Sequence, residues 1–276
     1  MRIDRVLRSS LFKSGMVLAL LVSGACAQTP GFKPEVGQAG KDVVWVPTSD
    51  VLVNKMLDMA KATPADYVID LGSGDGRTVI AAAKRGIKAH GIEYNPEMVK
   101  LSQENATKAG VTDKATFVRA DIFQSDFSQA TVITMFLLPE LNLRLRPKIL
   151  GLKPGTRIVS NSFTMGDWED DDTATATESG DCSYWCIAHM WIVPAKVEGV
   201  WQFSGGKLTL KQKYQMISGS VEAKAGASAI GGKMHGDQIA FKAGGAEYSG
   251  RVNGNTIEGT VKTGAQSSKW VATRGK

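Results

Sequence analysis

The chain has little cysteine and little histidine, three of each in 276 residues. Three cysteines are too few to staple a miniprotein and suggest neither a disulfide framework nor a zinc cluster. Proline is sparse, at nine positions beside 30 glycines, a composition that excludes collagen and disordered low-complexity chains. The apolar run at residues 16–22 is too short to span a bilayer. Nor does one sign of charge dominate. The net charge of +6 divides into four basic against one acidic residue over 1–27, 18 against 21 over 28–196, and 11 against 5 over 197–276. Without its first 27 residues the chain carries only +3, with 29 basic against 26 acidic residues. Charge therefore gives no reason to expect a nucleic-acid partner. What is present, 43% hydrophobic and 22% charged residues, describes a globular protein of at most two domains, each able to bury a core.

The first residues read as an export signal. Arg2, Arg5, Arg8 and Lys13 precede the apolar run, and small residues follow, ending Ala25-Cys26-Ala27-Gln28; this is the charged, apolar and A-x-A order of a secretory leader. Cleavage near Ala27 fits best. A lipoprotein anchored at Cys26 is the competing reading, against which Ser23 stands where a lipobox usually has leucine. The mature chain is thus expected to be exported, periplasmic or envelope-associated, with no transmembrane segment. Residues 28–43, with Pro30, Pro34 and several glycines, are expected as an unpacked linker.

From residue 44 to 196 the pattern alternates. Ser49 and Asp50 precede Val51, Val53, Met56, Leu57 and Ala60, a stripe at helical spacing behind N-cap residues. Strands are predicted over 67–71, 89–93, 116–119, 132–137 and 157–160, with helices over 77–84, 96–109 and 140–150. Such alternation implies an α/β fold, a Rossmann-like doubly wound and mostly parallel sheet covered by helices on both faces. From 197 to 276 the texture changes. Half of all glycines, 15 of 30, fall in these last 80 residues among short alternating runs, which predicts a small antiparallel β domain. Residues 248–254 and 257–264 read as two of its strands, joined at Asn253 to Asn255.

The chemistry lies at the first βα turn. Strand 67–71 ends in Gly72-Ser73-Gly74-Asp75-Gly76-Arg77. A dinucleotide loop requires G-x-G-x-x-G and a helix N-terminus holding a diphosphate. Here the last glycine comes one residue early, and Asp75 would repel phosphate. S-adenosylmethionine has no phosphate and ends in a zwitterion, so Asp70 and Asp75 can attract its ammonium while bare glycine backbone packs against it. The next strand ends at Glu93, placed to accept from both ribose hydroxyls, with Asn95 as a second contact. The third ends near Asp121, an acceptor for the adenine amino group, and Ile122, which can pack on the ring. Each residue alone has an ordinary structural explanation. Together they stand at the carboxyl ends of three successive strands, where open α/β sheets bind ligands.

These residues, with Val46-Pro47-Thr48, Gly91-Ile92-Glu93-Tyr94-Asn95-Pro96 and Phe136-Leu137-Leu138-Pro139, resemble the class I S-adenosylmethionine-dependent methyltransferases. Among them they are most similar to the ATP-synthase c-subunit lysine N-methyltransferase family and its small bacterial relatives, over residues 44–170. The resemblance implies methyl transfer to a nucleophilic nitrogen, a protein lysine being the acceptor of that family. It also implies that Thr48 lies near the methionine end of the cofactor and that Leu138 lines the methyl-transfer face. An export signal and a glycine-rich β domain are not part of that family's pattern. The competing reading is an exported adenosyl-ligand-binding protein that keeps the pocket without turnover.

Little else in the sequence carries chemistry. Methyl transfer mainly needs an aligned in-line attack, because the sulfonium is already activated. Glu140 is the one candidate for orienting an amine, and its place as a first-turn acid favoured by the helix dipole explains it better. No Asn-Pro-Pro-Tyr motif follows the fourth strand. Cys182, Cys186 and His189 match no common zinc spacing, so no metal is expected. In an oxidising compartment the two cysteines can pair if the chain turns between them; in one straight strand they would stand about 13 Å apart, beyond disulfide reach, and residues 184–193 look strand-like. The acidic run of Asp167 and residues 169–172 reads either as a solvated loop or as a collar for a cationic substrate.

Overall fold

The computed structural model describes residues 32–177, 182–223 and 226–275; the expected export signal lies outside them. The first helix, α1 (Asp50–Met59), starts where Ser49 Oγ accepts the Leu52 amide proton at 3.3 Å, and it buries Leu52, Val53, Met56 and Leu57. An alternation follows: β1 (Tyr67–Leu71), α2 (Arg77–Lys84), β2 (Lys88–Glu93), α3 (Pro96–Lys108), β3 (Ala115–Arg119), β4 (Val132–Met135), α4 (Pro139–Ile149) and β5 (Arg157–Asn161). Helix α3 is opened by Asn95, whose side chain accepts the Glu97 amide proton, with Pro96 at the first helical position. Two further strands, β6 (Asp172–Thr175) and β7 (Ile187–Ile192), complete a seven-stranded sheet of order β3-β2-β1-β4-β5-β7-β6. Strands β1 to β5 pair in parallel, whereas β7 runs antiparallel to both β5 and β6.

Alternate side chains of each central strand face opposite layers. Val68, Val132 and Val159 join Leu52, Leu57 and Val79 in one core, while Ile69, Ile133 and Ile158 join Leu145, Ile149, Trp168 and Trp191 in the other. With both faces covered, a ligand meets the central strands at their carboxyl ends.

The C-terminal strands are β8 (Gly199–Phe203), β9 (Gly206–Lys213), β10 (Met216–Ala223), β11 (Gly226–His235), β12 (Gln238–Ala243), β13 (Ala246–Asn253), β14 (Thr256–Thr263) and β15 (Gln266–Arg274). They form an antiparallel meander that closes into a barrel when β15 returns to β8, Thr273 opposite Gln202. Closure removes both sheet edges. Trp201, Leu208, Leu210, Ile239, Phe241, Ile257 and Trp270 fill a third core. Barrel and α/β sheet belong to one compact unit that starts at Pro34.

Three expectations change. The segment read as an unpacked linker, 28–43, is tied to Trp45 just beyond it, so that residues 35–45 form a hydrogen-bonded strap: the Gly37 amide donates to the Trp45 carbonyl at 2.8 Å, and the Trp45 amide donates to the Gln38 carbonyl at 2.9 Å. The acidic run is exposed at Asp167, Glu169 and Asp172, and it is more than a solvated loop, because Asp167 and Asp171 fasten the barrel. Asp167 accepts from Arg146 at 2.7 Å and Tyr214 at 2.8 Å, Asp171 pairs with Lys233 at 2.8 Å, and Trp168 is buried and stacked on Tyr214. These cationic and hydroxyl partners hold the Asp167 carboxyl well below the usual range. Finally, the strand expected from residue 184 begins only at Ile187. Trp185 adopts φ +58°, the chain turns there, and the Cα atoms of Cys182 and Cys186 come within 5.8 Å and are joined by a disulfide. His189 instead hydrogen-bonds Asp170 at 2.6 Å.

Candidate functional site

A cleft opens over the carboxyl ends of the parallel strands, with the β1–α2 loop at its centre. Gly74 sits at φ +54°, and a Cβ there would stand 2.8 Å from the Trp45 indole nitrogen. Only glycine gives both that backbone and that clearance. Thr48, Asp70, Gly72, Ser73, Gly74, Asp75, Glu93, Asn95, Asp121, Ile122 and Leu138 all line the cleft. Two predicted residues do not. Gly76, at φ +84°, faces Ser102 and Phe117 behind the loop, and its role is to start α2. Glu140 is exposed in the first turn of α4, outside the cleft lining.

The carboxylates have distinct surroundings. Glu93 joins the ends of two strands, its oxygens accepting the amide protons of Gly74 and Asn95, each at 2.9 Å. Asp70 is buried and accepts a hydrogen bond from Thr134 Oγ1 at 2.7 Å. Burial pushes its carboxyl up to about 7, with Glu93 and Asp75 nearby adding to the rise. Asp75, expected to share in attracting an ammonium, is gripped by Arg77: Nε lies 3.0 Å from Oδ1 and Nη2 lies 2.7 Å from Oδ2. The same guanidinium donates to the Thr48 carbonyl at 2.9 Å, so the charge of Asp75 is committed to holding the loop against the start of α1. Thr48 in turn accepts from Asn161 Nδ2 at 3.1 Å. Asp121 accepts the Phe123 amide proton at 2.9 Å and pairs with Lys41 of the strap at 2.6 Å. Lys41 holds the Asp121 carboxyl below its ordinary value, and the pairing raises the ammonium of Lys41.

Sequence reading missed two sets of lining residues. One is the strap, including Lys41 and Trp45; the other is the ring cluster of Phe136, Phe163 and Trp185. An indole and a lysine amid prolines and glycines, Phe136 at the head of Phe136-Leu137-Leu138-Pro139, and a tryptophan directly before a cysteine are the local signals they leave.

Residues 70–172 match the family model of the ANTKMT methyltransferase domain. A protein-lysine N-methyltransferase of Saccharolobus islandicus (strain REY15A) is 46% identical over 129 residues, which cover 46% of this chain and 80% of that protein. The chain belongs to that methyltransferase family. The mouse lysine N-methyltransferase of the ATP-synthase c-subunit is 33% identical over 58% of this chain and 64% of its own length. A crystal structure of an RNA methyltransferase from Salinibacter ruber with S-adenosyl-L-homocysteine superposes with a TM-score of 0.51 at 42% identity, covering 55% of this chain and 96% of that one.

The methyltransferase uses S-adenosylmethionine as its methyl donor, and the cleft fits that cofactor. Among the described residues neither Asp70 nor Glu93 has a basic partner, which leaves a negative floor for a cationic ligand, and the buried hydroxyl of Ser73 has no hydrogen-bond partner. When bound, the cofactor supplies a methyl group on an activated sulfonium; the protein supplies alignment.

Proposed function

We propose that this methyltransferase moves the methyl group onto the ε-nitrogen of a protein lysine. Its kinship with a named protein-lysine methyltransferase over most of that protein's length carries the reading. The cleft supports it. In this assignment Asp70 receives the cofactor's ammonium and Thr48 lies near its methionine end. Gly72, Ser73, Gly74 and Asp75 form the loop beneath it, Glu93 and Asn95 meet the ribose, and Asp121 and Ile122 meet the adenine. Leu138 then borders the transferring methyl, and no side chain is assigned as a base. Incubating the chain with tritiated S-adenosylmethionine and an envelope-protein extract tests the acceptor. Label recovered as methyl-lysine after acid hydrolysis is expected; label removed by ribonuclease overturns the lysine assignment.

We further propose that the mature protein lies outside the cytosol, as a methyltransferase unit over 44–196, to which the strap adds, followed by the barrel over 197–276. The charged, apolar and A-x-A order of the first 28 residues supports export, as does the disulfide, a bond that persists in oxidising compartments. Mass spectrometry of the N-terminal peptide from the native host separates the options. A start at Gln28 supports cleavage, a lipidated Cys26 supports the lipoprotein form, and an intact Met1 peptide overturns export.

A further inference from the structure

Sheet order divides the cleft. The ends of β2 and β3 lie on one side of β1, where Glu93 and Asp121 sit; the ends of β4 and β5 lie on the other, followed by β7. On that second side Phe136 follows β4, Phe163 follows β5, and Trp185 precedes β7. The three rings meet, with centroids 6.0 Å apart for Phe136 and Phe163, 6.1 Å for Phe136 and Trp185, and 5.2 Å for Phe163 and Trp185. All three line the cleft. Trp185 is nonetheless 47% exposed and holds a left-handed backbone that a bulky residue rarely adopts. A large exposed ring in such a conformation needs a constraint. The disulfide supplies one: both cysteines are buried in the core beneath it, and the Cys186 carbonyl is fixed by the Ala176 amide at 2.8 Å. The loop carrying Trp185 is therefore closed at both ends by core residues.

We infer that Phe136, Phe163 and Trp185 form the acceptor entrance, an aromatic lip that receives an alkylammonium side chain over its ring faces, and that the Cys182–Cys186 disulfide positions Trp185 in it. Ring faces attract cations and pack against the methylene stem of a lysine. The inference rests on the lysine assignment above and adds to it how the acceptor is recognised and what bond holds the recognising residue.

The test uses the full chain labelled with 5-fluorotryptophan and saturated with S-adenosylhomocysteine, the Trp185 resonance being assigned by Trp185→Phe. Titration with n-butylammonium is expected to shift that resonance, whereas n-butanol, its neutral analogue, leaves it unmoved. In Cys182→Ser/Cys186→Ser, and in the native chain reduced with a phosphine, the amine should bind at least tenfold more weakly while circular dichroism stays the same. Equal responses to amine and alcohol, or equal amine affinity with and without the disulfide, overturn the inference. A stronger response to adenosine than to amine overturns it in favour of a base-stacking surface. The lysine assignment fails separately: a resonance that responds to the amine in a chain that labels no lysine overturns that assignment and keeps the lip. Lysine labelling with an unchanged acceptor KM in Trp185→Ala does the reverse.

Discussion

The two flanks of β1 are built from different materials. On the β2–β3 side the cleft is polar, and each group is fixed by a short-range bond: Glu93 by the Gly74 and Asn95 amides, Asp121 by the Phe123 amide and Lys41. On the β4–β5 side it is aromatic, and its rings come from three segments spread over some fifty residues, the last held by a disulfide. The contrast matches two recognition tasks. A cofactor of fixed structure is read by acceptors at fixed spacing, which lose heavily when one partner is missing. An acceptor side chain that must enter, react and leave is better served by ring faces, whose attraction depends weakly on angle.

The harshest way to break the polar flank alone is Gly74→Val. The substitution forces a branched residue to φ +54° and drives its Cβ into the Trp45 indole. Backbone strain of about 1–3 kcal/mol adds to displacement of the strap, so calorimetry should detect no S-adenosylhomocysteine binding. The fluorine response of Trp185 to n-butylammonium should survive. Retained cofactor affinity would show that the loop does not shape the cofactor site.

Asp70 gives the next largest effect, and it appears as a pH dependence. Its folded value, about 7, lies above the unfolded carboxylate value. The folded state thus binds the extra proton between roughly pH 4 and 7, and stability falls as pH rises through that window. The full span is on the order of 4 kcal/mol, and Asp70→Asn should flatten it in chemical denaturation series. A bound ammonium favours the carboxylate, so cofactor binding below pH 7 should release protons, measurable by calorimetry in buffers of different ionisation enthalpy. Binding without proton release would place the ammonium elsewhere.

Glu93→Ala removes a charged acceptor and both amide ties, and should weaken cofactor binding by about 1.5–3 kcal/mol. Unchanged affinity in a folded variant would remove Glu93 from the ribose assignment.

Most of the polar flank is legible in the sequence because its determinants are local. The glycine spacing from Gly72 to Gly76 and the strand-end acids Glu93 and Asp121 sit beside periodic segments that announce their own strands. The aromatic flank is not legible. Phe163 and Trp185 reach the cleft only because β7 inserts antiparallel between β5 and β6, a long-range pairing that no local period encodes. The disulfide depends on a turn between its two cysteines, where Trp185 takes φ +58°, and no strand period announces that turn. Alternation likewise predicts the C-terminal meander without its closure, which depends on the first strand meeting the last. Even on the polar side the motif misleads at Asp75, whose position fits an ammonium until Arg77, two residues on, takes its charge.

Lys41 provides the smallest and sharpest test, because it bridges the strap to the polar flank. Its ammonium occupies the Asp121 carboxylate, the group assigned to the adenine amino donor, and lies 4.7 Å from the Tyr94 ring centroid. Strap and adenine therefore compete for one acceptor. Lys41→Met keeps most of the side chain's apolar stem and removes the competitor, so cofactor affinity should rise by a few fold at most, since a solvent-facing ion pair contributes little. The gain should shrink as salt is added, because screening already weakens the lysine's hold in the parent chain. The aromatic flank, on the far side of β1, should not register the change, and the amine response of Trp185 should stay within error. A fall in cofactor affinity would mean that the strap holds the cofactor in place through Lys41, and Asp121 would then act as an anchor for the strap instead of a contact for adenine.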